Sequence, residues 1–134
     1  MDYSQIKGTI VYRGPDGTEE SGKITIADHD GLRRLYFGDA VMQSCMRLDK
    51  PWALQMDYCQ AMTLALVFNS LSALILMIGL GGGSLVKFLV RACPDSSIDL
   101  VEISGPVIKA AYEFFYLPKH NPQVKIFHAT GQTF

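Results

Sequence analysis

Gly79-Leu80-Gly81-Gly82-Gly83-Ser84 is the segment of this 134-residue chain whose residue types most directly serve chemistry. It follows the apolar run Leu74–Ile78 and opens onto a stretch with helical spacing. In such a turn the first glycine permits a tight strand-to-helix reversal, and the next lets backbone approach a ligand with no Cβ in the way. Glu102 stands 23 positions beyond Gly79, at the end of the next predicted strand, where a carboxylate can accept hydrogen bonds from both hydroxyls of a ribose. Strand, glycine loop, helix and strand-end carboxylate together predict a half-site for a nucleoside-bearing cofactor. The GxGxG spacing, with Ser84 where a dinucleotide fingerprint wants glycine, favours a loop of the S-adenosylmethionine type over NAD. A tightly packed glycine turn beside a solvated glutamate is the alternative reading of the same residues.

The elements that must position these residues follow from periodicity. Leu74–Ile78 is continuously apolar, as in a strand buried on both sheet faces. Residues 84–92 have helical spacing and stop before Pro94, 98–103 read as a strand, 106–116 as a helix with Pro106 in its first turn, and 123–128 as a strand. Strands alternating with helices across short connections predict a parallel βαβαβ unit with right-handed crossovers. Upstream, a helix is expected from about 51 to 68, capped by Asp49, with Met56, Cys59, Met62, Thr63, Leu66 and Val67 on its core face.

The first 48 residues read differently. Strands over 8–13, 23–27, 32–37 and 40–44 are separated by turn signals at Gly14-Pro15-Asp16-Gly17, Asp28-His29-Asp30-Gly31 and Gly38-Asp39. The predicted fold class is therefore α/β: a small N-terminal antiparallel β meander (1–48) followed by a partial Rossmann-like, S-adenosylmethionine methyltransferase-type βαβαβ unit (49–134).

Composition bounds the function. Hydrophobic residues make up 49% and charged residues 19%, enough apolar material for one small folded domain. With 12 Lys+Arg against 13 Asp+Glu there is no basic field to neutralise phosphates or favour an anionic membrane, so neither nucleic acid nor membrane is an expected partner. Cys45, Cys59 and Cys93 are odd in number and far apart, which argues against a disulfide framework or a zinc site; no metal is expected. The first residues lack a basic and then apolar leader, and a reducing cytoplasm is the expected compartment. Residues 58–86 carry no charged side chain, a length sufficient for a membrane span, but Asn69, Ser70, Ser72 and the glycines divide them into helix, turn and strand.

Several stretches resemble the spermidine synthase (polyamine aminopropyltransferase) family: residues 35–44 with Gln43, the later Tyr58, the strand and loop of 76–83, Val101-Glu102-Ile103, and Pro106-Val107-Ile108 leading into Phe114-Phe115. The resemblance covers about 32–134. It implies a small β domain joined to a Rossmann-like domain, usually as a homodimer, that moves an aminopropyl group from decarboxylated S-adenosylmethionine to a diamine such as putrescine. By the same resemblance Gln43 contacts the nucleoside or its thioether end and Tyr58 lies near the amine. Gly79, Gly81, Gly82 and Gly83 cradle the sulfonium end, and Glu102, with Ile103 beside it, holds the ribose.

Three departures accompany the resemblance. Gly82 stands where the family's loop carries an Asp that meets the substrate amine, and Thr130 of Ala129-Thr130-Gly131 stands where an Asp faces adenine. The chain is also expected to stop after the third strand of the sheet, before the strand whose following Asp serves such enzymes as general base, so no catalytic residue is assigned. This length is therefore expected to bind a nucleoside without turnover, with strand Leu74–Ile78 exposing an edge that favours a homodimer or higher self-association. An S-adenosylmethionine-dependent methyltransferase and a non-catalytic dimerisation or regulatory module are the alternative readings.

Overall fold

The computed structural model describes residues 6–12, 22–38, 41–69 and 73–134. The expected turn at Gly14-Pro15-Asp16-Gly17, together with Arg13, Asp39, Ala40, Ser70 and Ser72, lies outside these residues. Four strands form an antiparallel sheet in chain order: β1 (Ile6–Tyr12), β2 (Gly22–His29), β3 (Leu32–Phe37) and β4 (Val41–Arg47). The β2–β3 reversal needs only Asp30 and Gly31, both with positive φ (51° and 72°), the mirror-image turn whose twist matches the paired strands. The sequence placed Asp28 and His29 in this turn; they instead pair with Arg33 and Leu32 as the last residues of β2.

The second half forms a three-stranded parallel sheet from β5 (Leu74–Ile78), β6 (Ser97–Glu102) and β7 (Val124–His128), in the order β5-β6-β7. Two helices connect them, α3 (Ser84–Ala92) and α4 (Gly105–Phe114). Ser104 caps α4 by accepting from the Val107 N–H (3.3 Å), and Pro106 sits in the first turn, where its missing N–H costs nothing. The α/β class and the βαβαβ order thus stand as predicted.

The helix expected over 51–68 is corrected. Asp49 does not cap it, because the Arg47 guanidinium takes the carboxylate in a two-pronged pair (2.8 and 2.6 Å). Leu54 instead bridges Met46, and helix begins only at α1 (Asp57–Met62). Thr63 donates its hydroxyl to the Gln60 carbonyl (2.6 Å) where α1 ends, and a single turn follows as α2 (Ala65–Phe68). Of the predicted core face only Cys59 is buried; Met62 is 55% and Val67 75% exposed.

A second correction concerns β5. Its burial is one-sided: Met77 faces the core, whereas Leu74, Leu76 and Ile78 are 58%, 54% and 69% exposed. Helices α3 and α4 cover one face of the parallel sheet, over Ile98 and Leu100, and no described element covers β5 on the other. No helix among the described residues is long and apolar enough to cross a membrane.

One apolar cluster joins the two sheets: Ile24, Ile26, Leu35 and Met46 from the antiparallel sheet meet Val86, Leu89, Val107, Ala111 and Phe115 from the helical layer. Polar contacts fix this join at the carboxyl end of α4. Arg33 makes a bidentate pair with Asp28 (2.7 and 2.8 Å) and donates its remaining arm to the Phe114 carbonyl (2.6 Å). That pairing holds the Asp28 carboxyl below its ordinary range. Lys87 of α3, 9% exposed, donates to the Phe115 carbonyl (2.5 Å) and to Met46 Sδ (3.0 Å). Two cations thus terminate one helix at its partially negative end.

Phe115 itself is fully buried, and its ring lies where a side chain on Gly82 would be, 2.7 Å from an added Cβ. Gly82→Ala should therefore cost about 1–3 kcal/mol of stability in denaturant unfolding, since a core ring must shift to admit one methyl. Burial pushes the Lys87 ammonium down to about 8 from 10.5, so the unfolded chain binds more protons between those pH values. Stability should rise as pH climbs through that window, and Lys87→Met should flatten the rise; an unchanged slope in the variant would show that Lys87 is not its source.

Candidate functional site

Two adjoining cavities open where the carboxyl ends of β5 and β6 meet the glycine loop. The first, about 370 Å³, is lined by Gln43, Tyr58, Gly79, Gly81 and Glu102 among others, and the second, about 360 Å³, by Gly79, Glu102, Ile103 and Thr130. Ile78, Gly79 and Glu102 line both. The fold therefore brings residues from β4, α1, the glycine loop, β6 and the turn after β7 to one place. This is the position expected of a ligand site in an open parallel sheet, outside the strands' carboxyl ends.

Glu102 is the hinge of the arrangement. It is 8% exposed, with Oε2 accepting from the Leu80 N–H and Oε1 from the Ser104 N–H, each at 2.8 Å. Those bonds fix the carboxylate between the loop after β5 and the start of α4. Each oxygen retains a lone pair for a further donor. Among the described lining residues it is the only formal charge, because burial keeps the thiols of Cys45 and Cys59 protonated and lifts the Tyr58 phenol to about 12. Desolvation is the main cause at Tyr58. The site as built is mildly electronegative.

The glycine loop spends most of its amides internally. Gly79 donates to the Val101 carbonyl (2.8 Å), Leu80 to Glu102, Gly82 to Ser44 Oγ (2.8 Å) and Gly83 to the Leu80 carbonyl (2.9 Å). Gly81 has φ +54°, and a Cβ there would sit 2.5 Å from Ser44 Oγ, so both conformation and space require glycine. Gly79 faces open space. Gly82 and Gly83 line neither cavity: Gly82 packs on Phe115 and Ser44, and Gly83 is the left-handed N-cap of α3 against Leu117.

The remaining candidates are placed as follows. Tyr58 donates its hydroxyl to the Gln43 backbone carbonyl (3.3 Å), which joins α1 to β4 across the first cavity. Ile103 is 60% exposed, and its carbonyl accepts from His128 Nε2 (3.0 Å). Thr130 Oγ1 is engaged with Thr133, by the hydroxyl at 2.8 Å and by the N–H at 3.2 Å. Sequence reasoning missed Ser44, which anchors the loop. It stood in the stretch that carries the resemblance, but nothing about a lone serine signals a bond to an amide 38 residues away.

No protein-family model matches the chain. Among curated proteins it is 36% identical over 113 residues to the polyamine aminopropyltransferase of Chromobacterium violaceum and 34% identical over 110 residues to that of Neisseria meningitidis serogroup A. These matches take in 84% and 81% of this chain but 43% and 42% of the relatives, so the chain spans about two fifths of their length. Among solved structures, a probable spermidine synthase from Corynebacterium glutamicum superposes with a TM-score of 0.69 at 19% identity, over 92% of this chain and 45% of that one. Spermidine synthase from Thermotoga maritima gives 0.69 at 18% over 96% and 41%, and human methyltransferase-like protein 13, solved with SAH, gives 0.52 at 31% over 59% and 38%. Over most of its own length this chain is a homologue of the polyamine aminopropyltransferases, the spermidine synthase family.

Proposed function

We propose that this chain forms the nucleoside half-site of an aminopropyltransferase and takes decarboxylated S-adenosylmethionine as co-substrate. The observation that carries the reading is Glu102: a buried, amide-fixed carboxylate with free lone pairs, shared by two cavities beside a glycine loop. In this assignment the ribose hydroxyls donate to Glu102, adenine lies toward Ile103 and Thr130, and the sulfonium lies along Gly79 and Gly81. No cation stands among the described lining residues, which suits a positively charged sulfur and a protonated amine. One relative solved with the transition-state analogue AdoDATO is a spermidine synthase, which supports this ligand class.

The reaction of the family requires a diamine such as putrescine to attack the aminopropyl carbon bonded to sulfur. A C–N bond forms, the C–S bond breaks with its electron pair returning to sulfur, 5′-methylthioadenosine leaves, and the new ammonium loses a proton to a base. Near the amine, Tyr58 stays a phenol over the physiological range and acts as a hydrogen-bonding group, not a base. Glu102 is the single carboxylate lining the cavities among the described residues, and its oxygens are committed to amides and ribose. Binding without efficient turnover is therefore the behaviour assigned to these residues alone. The likeness to methyltransferase-like protein 13 supports a methyl-transferring alternative, distinguished by preference for S-adenosylmethionine over its decarboxylated form.

Self-association belongs to the same proposal, since β5 ends the parallel sheet among the described strands and leaves Leu76 and Ile78 exposed. Light scattering should report a dimer or larger species whose proportion grows with concentration, and a monomer at every concentration would remove this part. In titration calorimetry the chain should bind 5′-methylthioadenosine, and Glu102→Gln should weaken it at least about tenfold, the loss of one charge-assisted hydrogen bond. The same preparation should show no aminopropyl transfer to putrescine. Equal affinity in the variant would remove Glu102 from the ribose, and robust transfer would place a base elsewhere in the chain.

A further inference from the structure

A cavity larger than either of those at the glycine loop lies elsewhere among the described residues. It measures about 690 Å³, shares no lining residue with the two site cavities, and lies on the helical layer toward the amino-terminal ends of the strands. One wall is the Lys87 and Arg91 side of α3, another is Tyr112 with the loop between α4 and β7, and Trp52 stands at its border. This volume falls in the range of pockets that enclose small organic ligands.

Its chemistry differs from the rest of a nearly neutral chain. Lys87, Arg91 and Lys119 line it together with His120, and no described aspartate or glutamate does. Among the described residues none of the three cations has an ion-pair partner. Lys87 is nine-tenths buried and uses two of its three N–H donors, on the Phe115 carbonyl and on Met46 Sδ, both uncharged. Arg91 lies over the Trp52 ring at 4.3 Å, the contact that engages its charge among the described residues. Aromatic faces and uncompensated cations thus border one space. Of the three, Lys87 is the buried one, and burying a cation with no opposite charge among the described residues is a cost that a bound anion removes, whereas Arg91 and Lys119 are exposed and reach the cavity from its rim.

We infer that this cavity is a binding site for a small planar ligand carrying a phosphate monoester, its ring among Trp52, Tyr112 and Tyr116 and its dianion toward Lys87, Arg91 and Lys119. Three cations exceed what a single carboxylate would neutralise, and guanidinium and ammonium donors match phosphate oxygens. Because the site is separate from the glycine loop, the inference stands or falls independently of the co-substrate assignment.

Trp52 is the only tryptophan in the chain, so its fluorescence reports on this cavity directly. Titration with phenyl phosphate should give a saturable change that phenol does not produce. Arg91→Gln and Lys119→Gln, both surface-reaching substitutions that leave the core intact, should each weaken phenyl phosphate binding about tenfold by calorimetry. Saturating 5′-methylthioadenosine should leave the affinity unchanged. A signal that never saturates, affinities in both variants equal to the parent, or displacement by 5′-methylthioadenosine would overturn the assignment, the last by moving the anion to the glycine loop.

Discussion

The carboxyl end of α4 is the joint on which the rest of the molecule turns. Helix termini leave carbonyls without intrahelical partners, and here two of them are taken by side chains from different elements. Arg33 of β3 reaches the Phe114 carbonyl and Lys87 of α3 reaches the Phe115 carbonyl. The Phe115 ring between them fills the space under Gly82. A meander of strands and a βαβ layer, each with its own sheet, are thereby held in one register relative to the glycine loop.

That register matters because the site is made from both halves. Ser44 and Gln43 come from the antiparallel sheet, whereas Gly79, Gly81 and Glu102 come from the parallel one. The bond from the Gly82 amide to Ser44 Oγ, together with that from Ser84 Oγ to the Cys45 carbonyl, ties them directly at the cavity. A loop so rich in glycine would have many conformations if left alone. Fixing its amides to Val101, Glu102 and Ser44 converts that freedom into a single shape before any ligand arrives.

Much of this was legible from residue order. The strand 32–37 and the helix 84–92 fall where turn residues and Pro94 placed them, and Glu102 ends β6 beside the glycine loop as its spacing required. What sequence could not give was set by non-local partners. Asp49 reads as a cap until the three-dimensional position of Arg47 is known, and the apolar 51–68 stretch has helical spacing although no described element covers most of that face. Likewise β5 is apolar on both sides, a pattern that reports suitability for burial, not burial itself. The cationic cavity was invisible for the same reason, since Trp52, Arg91 and Lys119 lie far apart along the chain.

The way the glycine loop disposes of its amides has a consequence for which cofactors it can accept. Dinucleotide sites hold a pyrophosphate by pointing free N–H groups at it. Here the amides of Gly79, Leu80, Gly82 and Gly83 are already committed within the protein, and the nearest charge is the Glu102 carboxylate. A phosphate-bridged cofactor would meet a wall with few donors and an adjacent negative charge. The loop thus disfavours a phosphate-bridged ligand by withholding hydrogen bonds, a form of exclusion written into its own internal bonding.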